Sequence, residues 1–144
     1  MNPMNHVTEK KLNNKGFSLV ELIIVIAIMA VLIGVLAPQY LKYVEKSRQS
    51  ADIDSISAMV SAVEIYNTDP SHTPVTGAIA SSAKNTNLTI DADIQTALND
   101  AGIAFGNLQM KSDLYDTWTI TFAADKVTFS SADDGVNVKK GLGR

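Results

Sequence analysis

Glu21 is the residue whose setting calls for chemistry. It stands in Lys15-Gly16-Phe17-Ser18-Leu19-Val20-Glu21-Leu22, at the start of a 21-residue apolar run from Phe17 to Ala37 that only Ser18, Glu21 and Gly34 interrupt. A charge at the centre of a membrane-spanning helix costs ~2.5 to 3.5 kcal/mol on insertion scales and less near the edge, so such a residue is a functional-site candidate by default. Two kinds of partner suit it. Ser18 and Glu21 fit the S-x-x-E capping box, in which the glutamate reaches back to the N-cap amide and the pair stabilises a helix start by ~1 kcal/mol. Alternatively the carboxylate neutralises a cation, in its own chain or in a neighbour. A buried pair of that kind also fixes the register between the groups that carry it. Spacing alone leaves these options open.

Other reactive groups are few. His6 and His72 are the two histidines, cysteine is absent, and there is no glycine-rich phosphate loop or nucleophile motif, so no catalytic centre is expected. Without cysteine there is neither a disulfide framework nor a thiolate metal site. Asp125, Asp133 and Asp134 offer carboxylates for a calcium loop, but they lack D-x-D-x-D-G spacing and turn aspartates are commoner. No cofactor is expected.

The elements that position Glu21 follow from periodicity. A helix of 21 residues at about 1.5 Å per residue spans the ~30 Å hydrocarbon core of a bilayer, which predicts one membrane-spanning segment over 17–37. Its apolar run is longer than that of a secretory signal peptide, and Leu36-Ala37-Pro38 is a poor cleavage site. Lys10, Lys11 and Lys15 on one flank balance Lys42, Lys46 and Arg48 on the other, so positive charge does not orient it. Pro38 cannot donate to the Gly34 carbonyl, and glycine weakens the same turn, which makes Gly34 and Pro38 the softest point of the helix. Tyr40 and Tyr43 follow, suited to a membrane interface, to the core of the head or to subunit contacts.

Beyond Pro38 the helical pattern continues. Ile53, Ile56, Met59, Val60, Val63 and Tyr66 recur at spacings of three and four, with Asp54, Ser57, Ser61 and Glu64 opposite, which predicts an amphipathic helix to Asn67. Ala58 and Ile65 lie on its polar side, as weak candidates for subunit contact. Residues 68–88 read as a long loop. Ile90, Ile94, Ala97, Leu98 and Ala101 predict a short helix with Thr89 or Asp91 as N-cap and Gly102 as stop. Alternation over Trp118, Ile120 and Phe122, then Val127 and Phe129, predicts an antiparallel hairpin, with a weaker third strand at Leu108 and Met110. The tail VKKGLGR carries no packing signal and is expected to be loose. The fold class is therefore α+β: a long N-terminal helix, membrane-spanning in its first half, whose second half covers a small antiparallel sheet.

Charge is divided along the chain. The net charge is -3, but residues 1–16 carry three lysines against Glu9, which leaves nine cations against fourteen acids, or -5, on the remainder. So acidic a body disfavours nonspecific nucleic-acid binding.

The basic leader ending in Gly16, Phe17 directly after it, Glu21 four residues on, the apolar helix and Pro38 together resemble the N-terminus of a type IV pilin precursor or of a type II secretion pseudopilin. The resemblance covers about the first 40 residues and extends to the head only in architecture, the pilin fold. It implies that 1–16 is a cytoplasmic leader, 17–37 the transmembrane and filament-core helix, 38–67 the amphipathic half of that helix and 68–144 a globular α+β head. It implies further that a membrane-embedded prepilin peptidase cuts between Gly16 and Phe17 and N-methylates Phe17. An assembly ATPase and a platform protein then draw subunits from the cytoplasmic membrane into a surface homopolymer. Cleavage would create an ammonium at Phe17, which Glu21 of the same chain or of a neighbouring subunit could neutralise, and the Gly34–Pro38 stretch would unwind on assembly. A major pilin is the leading expectation. The alternatives are a major pseudopilin of a secretion or competence system, which would favour calcium, and a solitary membrane-anchored binding protein. The absent cysteines remove the C-terminal disulfide loop of many Gram-negative pilins.

Overall fold

The computed structural model describes residues 16–130 and 135–144. His6, Glu9, Lys10, Lys11 and Lys15 of the expected leader, and Asp133 and Asp134 of the candidate calcium loop, lie outside the described residues. The elements in chain order are α1 (Leu19–Thr68), β1 (Gly77–Ser81), β2 (Thr89–Ile90), α2 (Ala92–Asp100), β3 (Trp118–Ala123), β4 (Lys126–Phe129) and α3 (Gly135–Gly141). This is an α+β fold, with the long N-terminal helix packed through its second half against a four-stranded antiparallel sheet. Residues 16–39 and 40–144 are separate compact units.

In residues 40–144 the strands run in the order β2-β1-β3-β4. Ile79 of β1 pairs with Ile90 and Ile120, and Ile120 pairs with Phe129, which aligns apolar side chains across the sheet. The alternation seen in the sequence decides the face: Trp118, Ile120 and Phe122 are buried while Thr121 and Ala123 are exposed. Against them lie Ile56, Met59, Val60 and Val63 of α1 and Ile94 and Leu98 of α2. Fully burying a side chain of this size contributes about 1.5 to 3 kcal/mol, so this cluster is the head's main source of stability. Ala58 and Ile65 are exposed. Gly102 stops α2 as expected: it sits at φ 71°, its amide donates to the Asn99 carbonyl, and Ile103 N donates to the Leu98 carbonyl. That is a Schellman cap, for which a left-handed residue is required.

Four expectations need correcting. The stretch 68–88 is not all loop, because Gly77–Ser81 forms the strand between β2 and β3. Gly77 has φ 146°, and a side chain there would stand 2.9 Å from Asp91, so only glycine allows the strand to start beside α2. Asp91 does hold the N-cap position of α2 but makes no side-chain cap. Its carboxylate instead accepts from Ala78 N at 2.8 Å, and Thr89 belongs to β2. Leu108 and Met110 do not form a third strand. Their segment runs beside 85–88 through a single bridge between Asn87 and Gln109. The tail is also not loose: Val138 of α3 is fully buried, and Arg144 closes on Glu64 of α1 through a bidentate pair.

Asp52 is the polar residue that periodicity hides. It is 4% exposed, and its carboxylate accepts from Lys111 N at 2.9 Å and Ser112 N at 2.7 Å. One α1 heptad earlier, Glu45 accepts from Asp113 N at 2.7 Å. Glu45, Asp52, Met59 and Tyr66 are spaced by seven and share a helix face, so one line of α1 carries carboxylates at one end and apolar side chains at the other. Hydrogen bonds to charged groups contribute about 1.5 to 3 kcal/mol, and a buried amide left without its acceptor costs about as much. We therefore expect Asp52→Ala to destabilise the head by about 3 kcal/mol and to accelerate hydrogen exchange at Lys111 and Ser112 before the rest of the loop. Unchanged exchange at those amides would show that the carboxylate does not hold the loop.

Tyr115 supplies a pH dependence. It is buried, and burial followed by the nearby Asp52 carboxylate raises its phenol above the ordinary value. The unfolded chain thus loses that proton at about pH 10 while the folded one retains it. Stability is complete below that pH and falls as pH rises toward the folded value. Melting temperatures across this alkaline range should fall less steeply for Tyr115→Phe than for the unsubstituted chain. Parallel slopes would assign the alkaline loss to other groups.

Candidate assembly site at the start of the apolar helix

Gly16, Phe17 and Ser18 precede the helix, and Leu19 is its first residue. The local chemistry decides where it begins. Ser18 Oγ accepts from Glu21 N at 3.2 Å, and Ser18 N donates to Glu21 Oε2 at 3.0 Å. This reciprocal pair is the capping box that the S-x-x-E spacing predicts, and it satisfies two amides that the helix cannot. Leu22 N donates to the Ser18 carbonyl at 3.3 Å, which closes the first turn. A carboxylate also suits the positive end of the helix dipole.

The capping box occupies one oxygen of Glu21. The other makes no hydrogen bond among the described residues, and the side chain is exposed. Phe17 is 84% exposed, and a side chain added at Gly16 would meet nothing within 4 Å. The bond between Gly16 and Phe17 therefore lies open. The structure brings Ser18 and Glu21 together and places Phe17 next to them, while Glu21 bonds the Ser18 amide.

The helix that follows is apolar on every side. From Leu19 to Leu36 its large apolar side chains are all exposed. An all-round apolar helix belongs in a membrane or in the core of a larger assembly. By length and composition α1 is long and apolar enough to cross a membrane. Gly34 and Pro38 both lie within α1, which is helical through both, although Pro38 leaves the Gly34 carbonyl without its usual donor. Tyr40 and Tyr43 are exposed.

The remaining candidates are not gathered into a site. Asp125 is exposed in the β3–β4 turn, and no cluster of three or more potential metal ligands occurs among the described residues. His72 stacks on Tyr66 at 4.2 Å and lies 3.7 Å from Asp69. At the helix start the structure shows the Ser18–Glu21 pair that the spacing predicts. Sequence reasoning missed Glu45 and Asp52, because a lone acid beside an apolar stripe carries no signal of which backbone amides it will meet.

Residues 11–37 match the model of the prokaryotic N-terminal methylation motif. This span includes Gly16, Phe17, Glu21 and Gly34 and stops just short of Pro38. The chain is 37% identical over 73 residues to the fimbrial protein EcpC of Eikenella corrodens, a match covering 51% of this chain and 48% of that one. It is 38% identical over 50 residues to a fimbrial protein of Pseudomonas aeruginosa, and 40% identical over 50 residues to the type IV major fimbrial protein FimA of Dichelobacter nodosus. Each of those two matches covers 35% of this chain and 32% of the relative. The chain thus spans about half the length of the first relative and about a third of the others. No solved structure matches. The chain thus carries the prokaryotic N-terminal methylation motif and is similar, over 50 to 73 residues, to proteins named as fimbrial.

Proposed function

We propose that the chain is the precursor of a major type IV pilin, a structural subunit whose work is polymerisation. The observation that carries this reading is an apolar helix with no cover, opened by a carboxylate inside a methylation motif. The precursor sits in the cytoplasmic membrane as a single-pass protein, with residues 1–16 as a cytoplasmic leader and residues 17–37 as the span. A prepilin peptidase hydrolyses the exposed Gly16–Phe17 bond, leaving a carboxylate on Gly16 and an amine on Phe17. Methylating that amine keeps it basic, so the N-terminus remains a cation. The Pro38–Asn67 part of α1 and the head of residues 68–144 form the outer body of the subunit, which an assembly ATPase and a platform protein add to a surface filament.

Cleavage changes what Glu21 has to choose from. In the precursor its best donor is the neutral Ser18 amide at 3.0 Å. In the mature chain a full positive charge stands one residue further out, and hydrogen bonds between charged groups are roughly twice as strong as neutral ones. In a filament core without water, the unused oxygen of Glu21 accepts from the Phe17 ammonium of a neighbouring subunit. Both charges then become tolerable where they are buried, and the pair sets the register between subunits. A pseudopilin would use the same start. The fimbrial names of the relatives favour a pilus, and a solitary anchor accounts for the span but gives Gly16, Phe17 and Glu21 no task.

Filaments sheared from cells expressing the chain should contain subunits beginning at a methylated Phe17. Glu21→Gln, which can still serve in a capping box, should reduce their yield on the order of a hundredfold, since stranding a buried charge costs about 3 kcal/mol or more. Normal filaments from that variant would exclude charge pairing. The weak turn between Gly34 and Pro38 is proposed to unwind on assembly, letting the subunit extend. A filament map should then show non-helical backbone near those residues, and an unbroken helix from residue 30 to 42 would remove the idea.

A further inference from the structure

The head carries two exposed faces that its topology keeps apart. α2 packs on β1, whereas α3 packs on β3 and β4, so the two helices rest on different strands of the sheet. Between α1 and α2 lies a pocket of ≈ 130 Å³ lined by Ala62, Ile65, Tyr66, Ala97 and Ala101, with Asp100 on its rim and Asp69 beside it held by Ser71 and His72. Ile65 is 68% exposed. Asp93 lies two turns from Asp100 on the same face of α2, and neither makes an ion pair among the described residues.

The other face belongs to α3. Gly135 and Val138 are buried, which turns Val136, Lys139 and Lys140, at spacings of three and four, to the outside. Val136 is exposed, and neither lysine has an ion-pair partner among the described residues. Single exposed apolar residues usually mean nothing. Here, however, one face is an apolar pocket flanked by aspartates and the other an apolar knob flanked by lysines. They match in both hydrophobicity and sign.

We propose that Val136, Lys139 and Lys140 of one subunit dock on the Ile65 pocket and the Asp93–Asp100 face of the next copy of this chain. The proposal rests on the reading of the chain as a polymerising subunit. Within one chain Ile65 and Val136 are both exposed, so the two faces do not cover each other and a second copy is needed to bring them together. A contact between two different faces joins copies head to tail and generates an open helical array unless the rotation closes a ring. The body of the chain is acidic, so copies repel one another except where the lysine pair approaches the aspartates. That asymmetry selects the orientation in which subunits meet.

The chain has no cysteine, which makes the test clean. Ile65→Cys and Val136→Cys combined in one full-length chain should give, on mild oxidation of sheared filaments, a ladder of disulfide-linked multimers that neither single variant gives. Lys139→Asp/Lys140→Asp and Asp93→Lys/Asp100→Lys should each lower filament yield on the order of tenfold, and their combination should restore most of it, because like charges face each other only in the separate variants. Filaments that form without a ladder and with no response to either charge reversal overturn the docking and leave polymerisation standing. If the unsubstituted chain makes no filaments, the reading as a fimbrial subunit fails. The ladder is then sought with the full-length chain in membranes, where its absence also overturns the docking. Loss of duplex-DNA retention in the lysine variant, with no ladder, assigns the lysines to nucleic acid and overturns it too.

Discussion

A carboxylate at the first turn of an unbroken apolar helix has to be answered wherever water is removed. In the free chain Ser18 answers it, and the reciprocal bonds between Ser18 and Glu21 set the start of α1. That solution uses one oxygen and a neutral donor, and it works while the helix start is wet. Buried in an assembly, the same carboxylate needs a cation. Proteolysis beside it is an economical way to make one, because a backbone amide becomes an ammonium within reach and no basic side chain has to be carried through the membrane. On the proposed reading, the residues that look most mundane in the free chain, a cap and its partner, are the ones on which polymerisation turns.

The head solves a different problem with the same chemistry. A small sheet offers too little surface to bury its own connections, and the loop from Met110 to Asp113 has amides that no strand pairs. Glu45 and Asp52, one heptad apart on α1, accept from them. The helix face that fills the core with Met59 and Tyr66 also pins the loop a few turns away, so one element sets both the packing and the path of the chain. Arg144 does likewise from the other side by closing α3 onto Glu64.

Much of this was legible in the sequence, for physical reasons that can be named. The α1 stripe, the hairpin of β3 and β4, the Gly102 stop and the Ser18–Glu21 box all depend on neighbours within a few residues, and local spacing encodes them. β1 escaped because Gly-Ala-Ile-Ala-Ser has small side chains and little alternation. It is a strand because β2 and β3 hold it on both sides. α3 escaped because its single buried side chain, Val138, is too little to make a periodic pattern, and its tertiary contacts hold it. Leu108 and Met110 looked like a strand because they alternate, yet their partners in residues 85–88 form only a bridge. Asp52 escaped most completely, since its partners lie some 60 positions away. At the helix start the capping geometry was readable, whereas the cation proposed for Glu21 belongs to a second subunit, which the spacing within one chain does not describe.

The most direct measurement separates the two chains. Filaments assembled from a mixture of subunits, one set labelled at the Phe17 nitrogen and the other at the Glu21 carboxyl carbon, report by solid-state magnetic resonance on contacts between chains alone. Strong dipolar transfer between the labels in the mixed filament is the result expected here. Transfer that appears only when both labels share one chain, or none at all, would contradict the account.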